Sequence, residues 1–170
     1  MDLFKKLEIK AKKKFRTIIL PESYDPRVTE AAKLILKRGI ARIILIDTGK
    51  GIKIPEHKNL DIIDIGFSKQ FIKDYTNLKQ KKNPKFDDRQ SEIELTDPLL
   101  FACMLLKNNY ADSVIAGSVY STGSVLKSAI QTVGLQKGNK TVSSFFLFYF
   151  PKAHMHSGRV FTYADCGVIP

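Results

Sequence analysis

The chain has 170 residues, 44% of them hydrophobic and 26% charged, a composition that builds one ordinary domain with a buried core and excludes wholesale disorder. No apolar run reaches the roughly 18 residues of a membrane span; the longest, Phe145 to Phe150, is strand-sized, and Met1 to Phe15 lacks the apolar centre of a secretory signal. The net charge of +11 comes from 28 basic and 17 acidic residues, but the lysines are spread along the chain without a recognisable nucleic-acid module, so a solvated lysine-rich surface is favoured over a nucleic-acid or membrane partner.

Met1 to Phe15 reads as a basic amphipathic helix, with Leu3, Phe4, Leu7, Ile9 and Ala11 among lysines. Thr17 to Leu20 is a short apolar run closed by Pro21, which suits a buried strand. Asp25-Pro26 supplies a helix start, Val28, Ala31, Ala32, Ile35 and Leu36 recur at helical spacing, and Gly39 supplies the stop. Arg42 to Asp47 is the next buried strand, completing a β-α-β unit of the kind that favours a parallel sheet. Ile62 to Ile65 reads as a strand, Ser68 to Lys82 as a basic helix and Asn83 to Arg89 as a polar loop. A second Asp-Pro start, Asp97-Pro98, opens an apolar helix through Leu106. Ser113 to Ala116 is a strand, Ser124 to Val133 a helix, and Thr141 to Phe150 and Val160 to Ala164 are strands joined by a hairpin-like connection. The expected fold is therefore α/β: a mostly parallel open sheet with helices on both faces, a Rossmann-like three-layer arrangement. Residues 1–140 are expected to form this domain, and residues 141–170 the first strands of a second one.

Cys103 lies in an apolar helical pattern and Cys166 follows a β-like run. With no CxxC and no zinc-like His/Cys spacing, two buried free thiols in a reducing compartment, the cytoplasm, are expected. His57, His154 and His156 sit in loops with no matching third ligand, so no metal is expected. Asp165 either orients a basic group or ends its strand.

The segment from Ser113 to Lys127 carries the most chemistry. An apolar strand runs into Gly117, and Ser118, Ser121, Thr122 and Ser124 follow before a helix that contains Lys127. In an open parallel sheet, ligands sit beyond the carboxyl ends of strands, and a helix N-terminus there presents unpaired N–H groups to an anion. Phosphate suits such a loop; a plain turn with capping hydroxyls reads equally from the same residues. Walker A and GxGxxG patterns are absent. Glu22, at the end of the first strand, reads as a solvated or capping residue.

Taken in order, Ile19-Leu20-Pro21-Glu22, Asp25-x-Arg27, Ala31-Ala32, Arg38-Gly39-Ile40-Ala41, Asp97-Pro98-Leu99-Leu100-Phe101-Ala102, Ala116-Gly117-Ser118 through Ser121-Thr122, Leu126-Lys127-x-Ala129-Ile130-Gln131, Val142-Ser143-Ser144-Phe145-Phe146-Leu147 and Ala164-Asp165-Cys166-Gly167-Val168 resemble the phosphate acetyl/butyryl-transferase family. The resemblance implies reversible acyl transfer, acetyl phosphate and coenzyme A giving acetyl-CoA and phosphate. It also implies two α/β domains flanking a cleft, a homodimer, coenzyme A as substrate and no tightly bound cofactor. In such enzymes a carboxylate helps deprotonate the thiol, and fixed donors stabilise the charged transition state. The Ser-Arg pair and Asp expected to do this lie beyond Pro170, so the resemblance assigns no catalytic residue within the chain and implies that it is inactive alone.

Lys127-Ser128 stands where the family has an Arg-Pro pair, and Lys79 follows Leu78 where it has an arginine. Both positions are associated with coenzyme A or its phosphates; lysine keeps the charge and loses the bidentate fork. Tyr120 stands where a histidine is common. The implied phosphate or coenzyme A contacts are Gly117, Ser118, Ser121, Thr122, Lys127 and Lys79. Two other readings are a non-catalytic remnant that binds an anionic ligand and a butyryltransferase-like enzyme.

Overall fold

Aliphatic side chains on both faces of three short strands set the architecture. The structure, a computed structural model, describes residues 3–150, 155 and 158–164. Strands β1 (Thr17–Leu20), β2 (Arg42–Asp47), β3 (Leu60–Asp64) and β4 (Ser113–Val114) form a fully parallel sheet in the order β3-β2-β1-β4. Successive residues of a strand point to opposite faces. Ile19, Ile44 and Ile46 accordingly enter one core, and Leu20, Ile43 and Leu45 enter the other. This is the pattern of a sheet buried on both sides.

Helix α2 (Pro26–Arg38) covers the second core with Val28, Ala32 and Leu36. Asp25 starts it by accepting from the Arg27 N–H at 2.8 Å, and Gly39 ends it at φ +61°, a conformation that strains residues bearing a Cβ. Helices α3 (Ile72–Gln80), α4 (Asp88–Glu94) and α5 (Pro98–Lys107) lie on the other face, where Tyr75, Leu95, Phe101, Met104 and Leu105 fill the first core. Asp97 caps α5 by accepting from Leu100 N–H at 2.9 Å. Helix α6 (Thr122–Thr132) follows β4 and packs on α5.

Several elements differ from the sequence expectation for local reasons. The basic helix divides: residues Ile65–Phe71 form a tighter 3-10 segment, begun where Asp64 accepts from Gly66 N–H at 2.7 Å, and α3 follows. The polar loop before Arg89 yields to α4 at Asp88, because Asp87 and Gln90 close a reciprocal capping box. Strand β4 ends at Val114 rather than Ala116; the Ile115 N–H still donates to the Ile19 carbonyl at 3.0 Å, and from Gly117 the amides turn to Glu22.

Residues 11–134 form one compact unit, and residues 1–10 with 135–170 form a second. In the second unit, β5 (Phe145–Tyr149) and β6 (Val160–Ala164) pair antiparallel. The N-terminal helix α1 (Leu3–Lys14) sets the Phe4 ring edge-on to Tyr149, with centroids 5.6 Å apart. His154, His156, Asp165 and Cys166 lie outside the described residues. Cys103 is buried, and burial pushes its thiol up to about 11.

Leu45 is fully buried in the central strand pair, whereas Leu34 on α2 is 59% exposed. Leu45→Ala is expected to cost about 2–5 kcal/mol and Leu34→Ala under about 0.5 kcal/mol, read as the shift in urea unfolding midpoint.

Candidate functional site

The strand order places a crevice at β1 and β4. From β1 the chain steps outward through β2 to β3, then returns to add β4 on β1's free side. The order reverses there, at the carboxyl ends of β1 and β4; open α/β sheets bind ligands at such points. The start of β4 is pinned by Asp112, which accepts from Thr17 N–H at 2.8 Å and pairs with Arg16. The Thr17 N–H, joined by the Arg16 pair, holds the Asp112 carboxyl below its usual range.

Glu22 lies two residues beyond β1, after Pro21, and is only 1% exposed. Its carboxylate accepts four consecutive backbone N–H groups from the loop after β4. Oε2 receives those of Gly117 and Ser118 at 3.0 Å each, and Oε1 those of Val119 and Tyr120 at 2.7 and 2.8 Å. Gly117 makes this possible at φ +111°, a backbone setting that only glycine adopts without strain. Successive N–H groups converging this way make an anion-binding concavity. Here the anion is the protein's own. Burial raises the cost of charging Glu22, but the donors from Tyr120, Val119, Ser118 and Gly117 outweigh it and hold the carboxyl below its ordinary value.

Further ties fix the same loops. Ser23 Oγ donates to the Ile46 carbonyl, anchoring the β1 loop to β2. Arg27 pairs with Asp25 through two nitrogens, and its Nη2 donates to the Ser118 carbonyl at 2.7 Å. The Arg27 side chain holds Asp25 below the usual carboxylate range. Tyr120 donates its hydroxyl to Asp97 at 3.3 Å; burial and the nearby Asp97 charge raise its pKa.

Beside this loop lies a cleft of about 450 Å³, lined by Lys79, Glu94, Asp97, Tyr120, Ser124 and Lys127 among others. Lys79 Nζ sits 3.1 Å from Glu94 and over the Phe86 ring at 4.9 Å. Glu94 also accepts from the buried Tyr75 hydroxyl. No ion pair involves Lys127 among the described residues. A second depression of about 630 Å³ shares Lys79, Glu94 and Gln131 with the first and carries Lys81, Lys82 and Lys107. Among the described residues no cluster of His, Cys, Asp or Glu is fit to hold a metal ion.

Of the residues singled out from sequence, Lys79 and Lys127 meet in one cleft although 48 positions separate them in the chain. Ser121 caps α6 by accepting from Ser124 N–H at 3.2 Å, and Thr122 is the first helical residue. The amides of Gly117 and Ser118 are engaged by Glu22. Glu22 is not the solvated residue that the sequence suggested. Its signal was an acid two residues after an apolar strand, but its partners lie in a loop 95 to 98 positions away. Glu94 went unnoticed because Asn83 to Arg89 was read as a polar loop and residues 90–96 were assigned to no element.

The chain is an α/β domain with an open parallel sheet and a polar cleft of mixed charge beside its switch point. The family model "phosphate acetyl/butaryl transferase" matches residues 2–170, and the chain belongs to that family. It is similar to the phosphate acetyltransferase of Acetivibrio thermocellus, 35% identical over 176 residues that cover 99% of this chain and 52% of that one. The Thermoanaerobacterium thermosaccharolyticum phosphate acetyltransferase is 30% identical, covering all of this chain and 53% of its own length. A crystal structure of a phosphotransacetylase from Streptococcus pyogenes superposes with a TM-score of 0.82 at 21% identity, over 99% of this chain and 53% of that one, and shares the fold. The chain thus spans about half the length of the curated relatives it matches.

Because the folded-state pKa of Glu22 is lowered, the stability it contributes is complete above its ordinary value of 4.5 and is lost as pH falls through the lower folded value. Glu22→Gln is expected to lose about 2–4 kcal/mol at neutral pH. Its deficit relative to the parent should shrink as pH drops below 4.5, measured by urea unfolding across a pH series. A constant deficit would contradict this account.

Proposed function

We propose that this chain forms one side of the active-site cleft of a phosphate acetyltransferase, where it binds coenzyme A and phosphate groups for the reaction acetyl phosphate plus coenzyme A giving acetyl-CoA plus phosphate. The observation that carries the reading is the shared cleft of Lys79 and Lys127 in a chain of this family. The neighbouring depression with Lys81, Lys82 and Lys107 extends the basic surface, which suits a long polyanion such as coenzyme A. Ser124, at the start of α6, adds a hydroxyl donor. Gly117 belongs to this reading as part of the framework that sets the start of α6, and Ser118, Ser121 and Thr122, through their hydroxyls, as contacts for the same anion.

In the reaction, the thiolate sulfur bonds to the acetyl carbon, the carbon–oxygen bond to phosphate breaks, and the thiol proton passes to a base. Cations bordering the cleft hold the phosphates through that exchange of charge. Coenzyme A is substrate rather than resident cofactor, the setting is the cytoplasm, and the complete enzyme is a homodimer. Taken alone, the chain binds ligand without turnover.

Calorimetric titration of coenzyme A into the 170-residue chain should show salt-sensitive binding, weakened about tenfold or more by Lys127→Ala and by Lys79→Ala. Binding untouched by both changes would remove the cleft from consideration. Incubation with acetyl phosphate and coenzyme A should yield no acetyl-CoA, and robust product would overturn the half-site reading. Glu94 competes with ligand for Lys79, whose side chain is 24% exposed. Glu94→Gln keeps an acceptor for Tyr75 and should tighten inorganic phosphate binding about two- to fivefold.

A further inference from the structure

Residues 117–119 are exposed, Val119 at 53%, so no buried side chain anchors this part of the loop after β4. Helix α6, into which the loop leads, has one buried residue, Thr132, at its far end. Hydrogen bonds hold the near end. Glu22 accepts the N–H groups of Gly117 through Tyr120. The Tyr120 hydroxyl lies on Asp97, whose other carboxylate oxygen caps α5. Ser121, the next residue, caps α6 by accepting from Ser124 N–H. Tyr120, Ser124 and Lys127 line the cleft, whereas Glu22 does not border it. Lys79 is set from another side, by Glu94 and the Phe86 ring.

We propose that Glu22 is a positioning residue for this cleft: through the loop it sets where α6 begins, and with it the separation of Lys127 and Ser124 from Lys79. The proposal rests on the reading of the cleft as a coenzyme A and phosphate site, and assigns part of its affinity to a group that touches no ligand. An anion held by two cations binds well only where both keep the required spacing. The carboxylate accepts all four amides from one buried point, and bonds to a charged acceptor are roughly twice as strong as neutral ones. Without it, four N–H groups lose their acceptor, and residues 117–119 have no packed side chain to hold their path. The start of α6 is then free to shift, while α3 and α4, which carry Lys79 and Glu94, keep their own ties. The loss is one of affinity in the folded chain, separate from the loss of stability.

The test titrates coenzyme A by calorimetry into the 170-residue chain and its variants, each first shown to be folded by circular dichroism. Glu22→Ala should weaken binding about fivefold or more. Acetate replaces the methylene and carboxylate that this change removes, and should restore most of the lost affinity where chloride at equal ionic strength does not. Gly117→Ala should weaken binding from the loop side: its φ of +111° strains any side chain, although the added Cβ meets only the Tyr120 carbonyl, at 4.0 Å. Two controls should leave affinity unchanged. Gly49→Ala imposes similar strain at φ +81° in the loop after β2, and Leu45→Ala removes comparable stability from the core. Where Glu22→Ala does not fold, Glu22→Gln and Gly117→Ala decide the matter, and parental affinity in both overturns the proposal. So does parental affinity in Glu22→Ala, acetate without effect, or an equal loss in either control. Lys127→Ala separates the two levels. If it weakens binding and Glu22→Ala does not, the cleft reading stands and the positioning role falls; a parent chain that binds no coenzyme A removes both.

Discussion

Glu22 meets four amides of the loop after β4, and most of the candidate site is arranged around that contact. A buried carboxylate without partners would be severely destabilising, and a loop with four convergent N–H groups and no acceptor would be unstable as well. Each solves the other's problem. The bond set joins the carboxyl ends of two adjacent parallel strands, so the crevice at the switch point is closed internally rather than left for a ligand. The open space of mixed charge lies to one side, where α6 and the α3–α4 pair present Lys127, Lys79 and Glu94.

That displacement explains how the cleft keeps a mixed charge. Lys79 is held by Glu94 and lies over an aromatic ring, so it is placed before any ligand arrives. Lys127 forms no ion pair among the described residues. The cleft thus holds one cation fixed by a carboxylate and a second cation without such a partner among the described residues. Lysine at both positions supplies charge without planar, two-point recognition.

The sheet and its two cores were legible because they depend on short-range pattern: β-branched runs, Asp-Pro helix starts at Asp25 and Asp97, and a glycine stop at Gly39. Lys127 stood out beside the small-residue loop, whereas Lys79 was found only through family resemblance, since nothing local marks it among its basic neighbours. The role of Glu22 was hidden for a physical reason. A carboxylate after a strand looks the same in sequence whether water or a distant loop receives it. The loop's hydroxyls pointed to an external anion, while the backbone N–H groups, which every residue but proline carries, determined which anion the concavity holds. The capping box of α4 was readable in Asp87 and Gln90, but Pro84 and the surrounding charges masked it.

The strand order also fixes a sequence of events during synthesis. β1, β2 and β3 emerge within the first 64 residues and can pair at once, each with its neighbour in the chain. β4 emerges only after residue 112, and its place beside β1 must stay open until then. The Glu22 contacts close a loop of 95 residues, far longer than any hairpin, and long closures are slow. The scaffold is therefore ready before the site, and a ribosome stalled between β3 and β4 holds a folded platform with its binding edge unbuilt.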